Sequence, residues 1–201
     1  MKLRVTTLTL LCIALFAVPV TAQNYLYDNG PINGTVDAWT INFGYAVTDS
    51  FIMSSAQTIT GFQFGVWAYP GDTPISVDFS IGTSPFSGTP MTVALTSTFL
   101  YSNQYGYDVD LETANTWVPL SAGTYWLTLQ NAVTTEGNPL YWDENSGPSL
   151  AQESALGTIP SESFQILGAT LTGTTPEPGT IALFGSGVLG VAALLRRKTR
   201  M

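Results

Sequence analysis

Period-two alternation of apolar and polar residues is the feature that most constrains the fold of this chain. It is found in runs at 39–43, 59–67, 75–81 and 124–130, and less regularly at 91–101 and 105–111. Successive side chains of a β-strand point to opposite faces, and these runs are rich in β-branched and aromatic residues. They therefore predict half-buried strands. The tryptophans on alternating patterns are expected in the core: Trp39, Trp67, Trp117 and Trp126.

Turn-forming residues separate these runs, as at 69–72, 82–85 and 121–123. Gly, Pro, Asn, Asp and Ser favour turns, and no window combines a helical apolar stripe with caps. Closely spaced strands without crossover helices disfavour a parallel β-α-β architecture. The pattern predicts an all-β fold of roughly eight to ten strands, arranged as a two-sheet β-sandwich or jelly roll. The short run at 164–168 is expected to be the closing strand.

Residues 1–22 have the features of a secretory signal peptide. Lys2 and Arg4 precede an apolar core at 8–18, and small residues at 20–22 form a cleavage pattern. The apolar run is short for an uncleaved membrane anchor, so cleavage by signal peptidase is predicted. The mature chain would then comprise a domain at 23–168, roughly the size of one ordinary domain, followed by a linker at 169–175.

The distribution of charge excludes one class of partner. All six Lys and Arg lie outside residues 23–175, whereas 13 of the 14 acidic residues (all but Glu177) lie within them, and the chain has no histidine. Binding DNA or RNA through its phosphates needs Lys or Arg, so a nucleic-acid partner is excluded. The single cysteine, Cys12, falls within the signal peptide. The mature domain is therefore expected to lack disulfides and thiolate metal sites.

Catalytic residue types are scarce in the predicted domain. Without His, Cys or Lys, the usual nucleophile and base pairs are absent, so the protein is predicted not to be an enzyme. The remaining hydrolytic option is a two-carboxylate glycosidase, with Asp143 and Glu144 acting with Asp108, Asp110 or Glu112. Asp108 and Asp110 alternate and so would share one strand face about 7 Å apart, but a solvated strand face shows the same pattern.

The segment 141–148 is the most site-like part of the domain. Tyr141 and Trp142 offer aromatic rings to a sugar, and Asp143 and Asn145 offer polar groups for its hydroxyls. These four residues are the candidate ligand-binding set. The plainer interpretation places Trp142 in the core and has the polar residues after it open a turn.

The same segment is a weak candidate for a calcium site. Asp143, Glu144 and Asn145 supply hard oxygen ligands, which a more distant carboxylate such as Asp28 or Asp37 would complete. EF-hand spacing is absent. The expectation is therefore no resident cofactor, with calcium as the one alternative.

The C-terminal residues combine three signals in order. Pro176-Glu177-Pro178 precedes an apolar run at 180–195, and the run precedes a basic cluster formed by Arg196, Arg197, Lys198 and Arg200. As a helix the run would be about 24 Å long, against roughly 30 Å of bilayer hydrocarbon. It predicts a short transmembrane helix that occupies the inner membrane transiently. The basic cluster would stay cytoplasmic, which places the domain on the outer side.

In these three parts, residues 176–201 resemble the tail of PEP-CTERM proteins of Gram-negative bacteria. The resemblance implies recognition by an exosortase, removal of the tail, and release or transfer to the cell surface. It also implies an association with exopolysaccharide. The segments 24–39 and 141–148 resemble, less specifically, the exported all-β domains that accompany this tail, and no activity follows from that likeness. Two alternatives stay open: a carbohydrate-binding module, and a simple type I membrane-anchored protein.

Overall fold

The computed structural model describes residues 24–169, in which β-strands are the regular elements. The strands are β1 (Tyr25–Asp28), β2 (Ala38–Thr40), β3 (Ala46–Met53), β4 (Gln57–Ala68), β5 (Pro74–Gly82), β6 (Met91–Ser102), β7 (Asp108–Leu120), β8 (Gly123–Thr134), β9 (Tyr141–Asp143), β10 (Ala151–Glu153), β11 (Gly157–Ile159) and β12 (Phe164–Gly168). The prediction of an all-β fold is confirmed.

Several predicted segments lie outside the described residues. They are the signal peptide at 1–22, nearly all of the linker at 169–175, and the tail at 176–201 with its transmembrane run. Within the described part of the chain, no helix is long and apolar enough to cross a membrane.

All strand pairing is antiparallel and follows one hydrogen-bonded path. Its order is β1-β12-β4-β7-β6-β5-β8-β3-β10-β11, with β9 pairing to both β2 and β4 beside it. β6 joins the two halves of this path, because Met91–Ala94 pair with β5 and Leu95–Ser102 pair with β7. The described strands therefore form one curled antiparallel sheet, and the finer prediction of a two-sheet sandwich or jelly roll is not confirmed.

The core lies inside the curl and takes side chains from both halves. Phe62 and Phe64 of β4 are fully buried, and the Phe62 ring centroid lies 5.1 Å from that of Phe79 of β5 and 5.8 Å from that of Phe64. Leu127 and Leu129 of β8 complete this layer. Burying a large apolar side chain stabilises a fold by roughly 1.5–3 kcal/mol, so this core replaces the disulfides that the domain lacks.

Most strands lie where alternation predicted them, and the exceptions have local causes. The predicted run 39–43 ends as a strand at Thr40, because Phe43 and Gly44 adopt positive φ angles of 55° and 87° and turn the chain. β7 begins at Asp108, after a turn closed by the backbone of Asn103 and Tyr107. β1, β3, β9, β10 and β11 were not predicted.

The expectation that all four alternating tryptophans are core residues is wrong for Trp117. Trp67 is buried and Trp39 and Trp126 are half-buried, but 72% of the Trp117 surface is exposed. Trp117 lies in a β-bulge, since two residues of β7 face the single residue between Ile59 and Gly61 of β4. A bulge changes the direction of its side chains, and sequence alternation does not reveal it.

Candidate functional site

β9 carries the first three residues of the predicted binding segment into the sheet. It pairs with β2 on one side and with Val66 and Trp67 of β4 on the other. Trp142 points inward and is fully buried, with its ring edge-on to those of Phe64 and Phe164 at 6.0 and 5.8 Å. The interpretation of Trp142 as a core residue is confirmed, and its ring has no face open to a sugar.

Asp143 anchors a loop. Its carboxylate accepts hydrogen bonds from the backbone N–H groups of Asn33 (2.9 Å) and Gly34 (2.8 Å) and from Nε1 of Trp67 (2.7 Å). The side chain is fully buried, and burial raises its pKa despite these donors. Asp143 thus ties the loop at 33–34 to the sheet and offers no oxygen at the surface.

Glu144 and Asn145 are also engaged within the protein. Oε2 of Glu144 accepts a hydrogen bond from Nε1 of Trp39 at 3.0 Å, and burial raises the pKa of this carboxyl. Nδ2 of Asn145 donates to the carbonyl of Asn29, while its Oδ1 accepts from the N–H of Gly147, both at 2.9 Å. The last contact closes the predicted turn. Trp142, Asp143 and Asn145 are therefore buried and hydrogen-bonded within the protein, which does not support their predicted role in ligand binding.

The calcium alternative gains no support from the geometry. In residues 24–169, no group of three acidic side chains is arranged to hold a metal ion. Oδ1 of Asp28 accepts hydrogen bonds from Gly30 N–H and Gln165 Nε2, and Oδ1 of Asp37 accepts one from the N–H of Ala38. One oxygen of each of these two carboxylates therefore already serves local structure.

A surface cavity of about 360 Å³ adjoins the end of the predicted segment. It is lined by Asp28, Asn29, Gly30, Pro31, Asn33, Asn145, Ser146, Gly147 and Pro148. The lining contains no aromatic ring, so it lacks the flat apolar platform expected of a sugar site.

The carboxylates considered for glycoside hydrolysis lie on β7 as alternation predicted. Asp108, Asp110 and Glu112 pair across the ladder with Ala68, Val66 and Phe64 of β4 and so share their face. That face is the core at Asp110 and Glu112, whereas Asp108 at the start of the strand is half-buried. Glu112 is fully buried, and burial raises its pKa to about 7 even though Oε2 accepts a hydrogen bond from the Ser97 hydroxyl. A side chain without solvent contact is not placed to meet a polysaccharide.

Two further buried acids were missed by sequence reasoning. Asp49 lies on β3 between Val47 and Phe51, and its Oδ2 accepts a hydrogen bond from the N–H of Glu162 at 2.7 Å. Glu162 is fully buried and neither carboxyl oxygen has a hydrogen-bond partner, so burial and the nearby Asp49 raise its pKa well above the usual range. Had β3 been predicted, alternation would have placed Asp49 on the same face as Val47 and Phe51.

A group of aromatic residues at one end of the sheet was also missed. We call it the tyrosine surface, and it consists of Tyr69, Tyr105, Tyr107 and Tyr141 around Trp67. The Trp67 and Tyr105 rings stack with centroids 5.6 Å apart and an interplanar angle of 23°. Tyr107 meets Tyr69 and Tyr141 edge-on at 5.2 and 5.6 Å. They come from three separate segments of the chain, at 67–69, 105–107 and 141, which strand pairing brings together.

Comparison with known families identifies the tail. Residues 174–198 match the model described as the PEP-CTERM protein-sorting motif, whereas no curated protein matches the chain significantly. The match includes Pro176, Glu177 and Pro178 and the basic residues at 196–198, and the predicted sorting signal is confirmed. The motif implies that the protein is exported, sorted at a membrane and processed by an exosortase.

Proposed function

We propose that this protein is a non-enzymatic component of the cell surface or of the surrounding polysaccharide matrix, in a bacterium of the Gram-negative type. An exosortase delivers it there by removing the tail, after signal peptidase has removed residues 1–22. The observation that carries the proposal is the sorting motif at residues 174–198. In this view the chain is a substrate, and another protein's active site reads Pro176, Glu177 and Pro178.

The residue types of the motif suit such processing. Proline fixes its own φ angle, lacks an N–H donor and disfavours helix at the residue before it. Pro176 and Pro178 flank Glu177, so they favour an extended backbone that a processing enzyme can reach. The transmembrane run and basic cluster would hold the chain at the inner membrane while this happens.

The chemistry of the domain supports a non-enzymatic role. The strongest candidate acids serve structure: Asp143 binds the loop at 33–34, Glu144 binds Trp39, and Glu112 is buried beside Phe64. Residues 24–169 carry no basic side chain to pair with them. An acidic domain of this kind is soluble and repels other copies of itself, which suits a dispersed matrix component.

Peptide mapping of the native protein tests the proposal. Intact mass and terminal peptides are measured for protein from the cell envelope and from the medium, for the natural chain and for Glu177→Gln. We expect a natural chain that starts at Gln23 and lacks residues 180–195, with the unprocessed form accumulating in the variant. Glu136→Gln, an exposed acid of the domain, is the matched control and should be processed normally. A natural chain in the inner membrane that retains residues 196–201 would show a type I membrane-anchored protein instead.

A strain unable to make exopolysaccharide tests the matrix assignment. We expect the processed chain to move from the envelope fraction to the medium in that strain. An unchanged distribution would contradict the association with exopolysaccharide while leaving exosortase processing intact.

A further inference from the structure

The tyrosine surface presents aromatic rings in a shape suited to a flat, partly apolar ligand. Tyr105 is 54% exposed and Tyr69 is 39% exposed, while Trp67 is nearly buried beneath Tyr105. A pyranose ring has one face of C–H groups, which loses water when it stacks on an aromatic ring. Its hydroxyls project at the rim, where the tyrosine hydroxyls can bond to them.

The exposed ring of Tyr105 is held in place before any ligand arrives. It lies in the turn between β6 and β7, where Oδ1 of Asn103 accepts hydrogen bonds from the N–H groups of Tyr105 and Tyr107 at 3.0 and 3.1 Å. The Tyr105 hydroxyl donates to the carbonyl of Thr35 at 3.2 Å. A ring already ordered by packing and hydrogen bonds loses little entropy on binding.

Charge favours a neutral ligand at this surface. Asp108 adjoins it, accepting hydrogen bonds from Ser102 Oγ and Gly71 N–H, and residues 24–169 hold 13 acids without a basic side chain. An anionic polymer would be repelled. Burial also raises the pKa of Tyr107 and Tyr141, so their hydroxyls stay protonated and neutral at physiological pH.

We propose that the tyrosine surface binds a neutral polysaccharide, with one sugar ring stacked on Tyr105 and its hydroxyls bonded to neighbouring tyrosines and Asp108. This inference rests on the proposed function, for which it supplies the attachment to the matrix. It places the glycan site on residues other than the segment 141–148 considered from sequence, with Tyr141 alone shared between the two.

Affinity electrophoresis of the full chain in mild detergent tests the site. The neutral probes are cellohexaose (as a competitor), laminarin and dextran, and alginate is the anionic probe. We expect at least one neutral polymer to retard the protein, and alginate not to. Tyr105→Ala should raise the dissociation constant by about tenfold, the loss expected for one stacked ring. Tyr105→Phe keeps the ring and should stay within about threefold of the natural chain.

Trp117→Ala is the matched control. It also removes an exposed aromatic ring, but it lies eight residues or more along β7 from the tyrosine surface, roughly 25 Å away. It should leave retardation unchanged. Equal loss in Trp117→Ala and Tyr105→Ala would overturn the inference, as would a natural chain that no neutral probe retards. So would a dimer in sedimentation velocity that Tyr105→Ala converts to monomer, since a second copy would then be the occupant.

The experiments distinguish failure of the proposed function from failure of the proposed glycan site. Purified protein is used in the glycan assay, so defective sorting in cells does not alter its result. A chain that is processed and found in the matrix but ignores every neutral glycan would overturn this inference alone. A chain that binds glycan through Tyr105 but keeps its tail in the inner membrane would overturn the proposed function alone.

Discussion

Asp72 and Asp49 are both buried carboxylates in a domain without basic side chains, yet their pKa values move in opposite directions. Asp72 accepts hydrogen bonds from the hydroxyls of Thr134 (2.7 Å) and Thr135 (2.8 Å) and from the N–H groups of Glu136 (2.8 Å) and Asn138 (3.3 Å). Burial raises its pKa, but these four donors outweigh burial and lower the pKa to about 2.

Asp49 is fully buried and also has four donors. The N–H groups of Glu162 and Ser50 donate to it at 2.7 and 2.6 Å, and Asn29 Nδ2 and Ser161 Oγ donate at 3.3 and 3.4 Å. Burial dominates, and it raises the pKa to about 7. Neutral hydrogen-bond donors are thus enough to lower the pKa of Asp72 beneath a surface loop. They are not enough to offset burial of Asp49 in the core, beside the unpartnered carboxyl of Glu162.

The two sites have opposite consequences for stability. Asp49 has a folded pKa above its unfolded value, so its contribution is complete below about pH 4 and is lost as pH rises through 7. Asp72 has a folded pKa below its unfolded value, so its contribution is present above about pH 4 and is lost as pH falls through 2. The domain should therefore be most stable near pH 4 to 5.

The largest expected effect is the pH dependence of the natural chain. A carboxyl whose pKa is raised to about 7 destabilises the fold by roughly 4 kcal/mol once both states are ionised. Between pH 4.5 and pH 8 the free energy of unfolding should fall by at least this order, with Glu112 adding to Asp49. Urea unfolding followed by tryptophan fluorescence measures it. A flat profile over this range would show that the buried acids are ionised in the fold.

A smaller effect is expected when the Asp72 site is broken. Asp72→Asn keeps the shape of the side chain but turns an amide N–H₂ toward donors that need an acceptor, so the variant should lose roughly 2 kcal/mol at pH 6. The difference from the natural chain should shrink below pH 2, where Asp72 is protonated in both states. Glu136→Gln is the control, because that side chain is exposed. A constant difference at every pH would mean that the loop, and not the charge, is what the substitution disturbs.

The smallest expected effect concerns Glu112, a second fully buried acid that can be compared with Asp72. Glu112→Gln removes an ionisable group whose pKa is about 7, while Gln can still accept the hydrogen bond from Ser97. At pH 6 the variant should be more stable than the natural chain by about 1 kcal/mol, and at pH 5 the two should nearly match. Thermal unfolding at both pH values measures the difference. Destabilisation at pH 6 would show that the Glu112 carboxylate is stabilised in the core after all.

Period-two alternation in the sequence was enough to predict some of the strands but not others. Alternation predicted β4, β5, β6, β8 and β12, because the period of two is a property of the strand itself. It missed β1, β9, β10 and β11, because strands of three or four residues show little periodicity. It missed β3 because polar Thr48 and Asp49 are both buried there, on opposite faces of the strand. It misplaced Trp117 because a bulge interrupts the alternation without changing it in the sequence. The predicted binding segment does not present Trp142 to a ligand, because this central residue of β9 points into the core.

The sequence by itself determined the fold class and the sorting signal, since both are written in contiguous residues. Strand periodicity needs only neighbouring positions, and an enzyme reads Pro176 to Pro178 as a short linear motif. Only the tertiary structure decided which acids are buried and which aromatic rings meet. Asp49 and Glu162 are 113 residues apart in sequence. The ring of Trp67 meets those of Tyr105 and Tyr107, and Tyr107 meets Tyr141, because β4 pairs with β7 and β9. Burial and contact depend on the whole packed sheet, and pKa and binding chemistry follow from them.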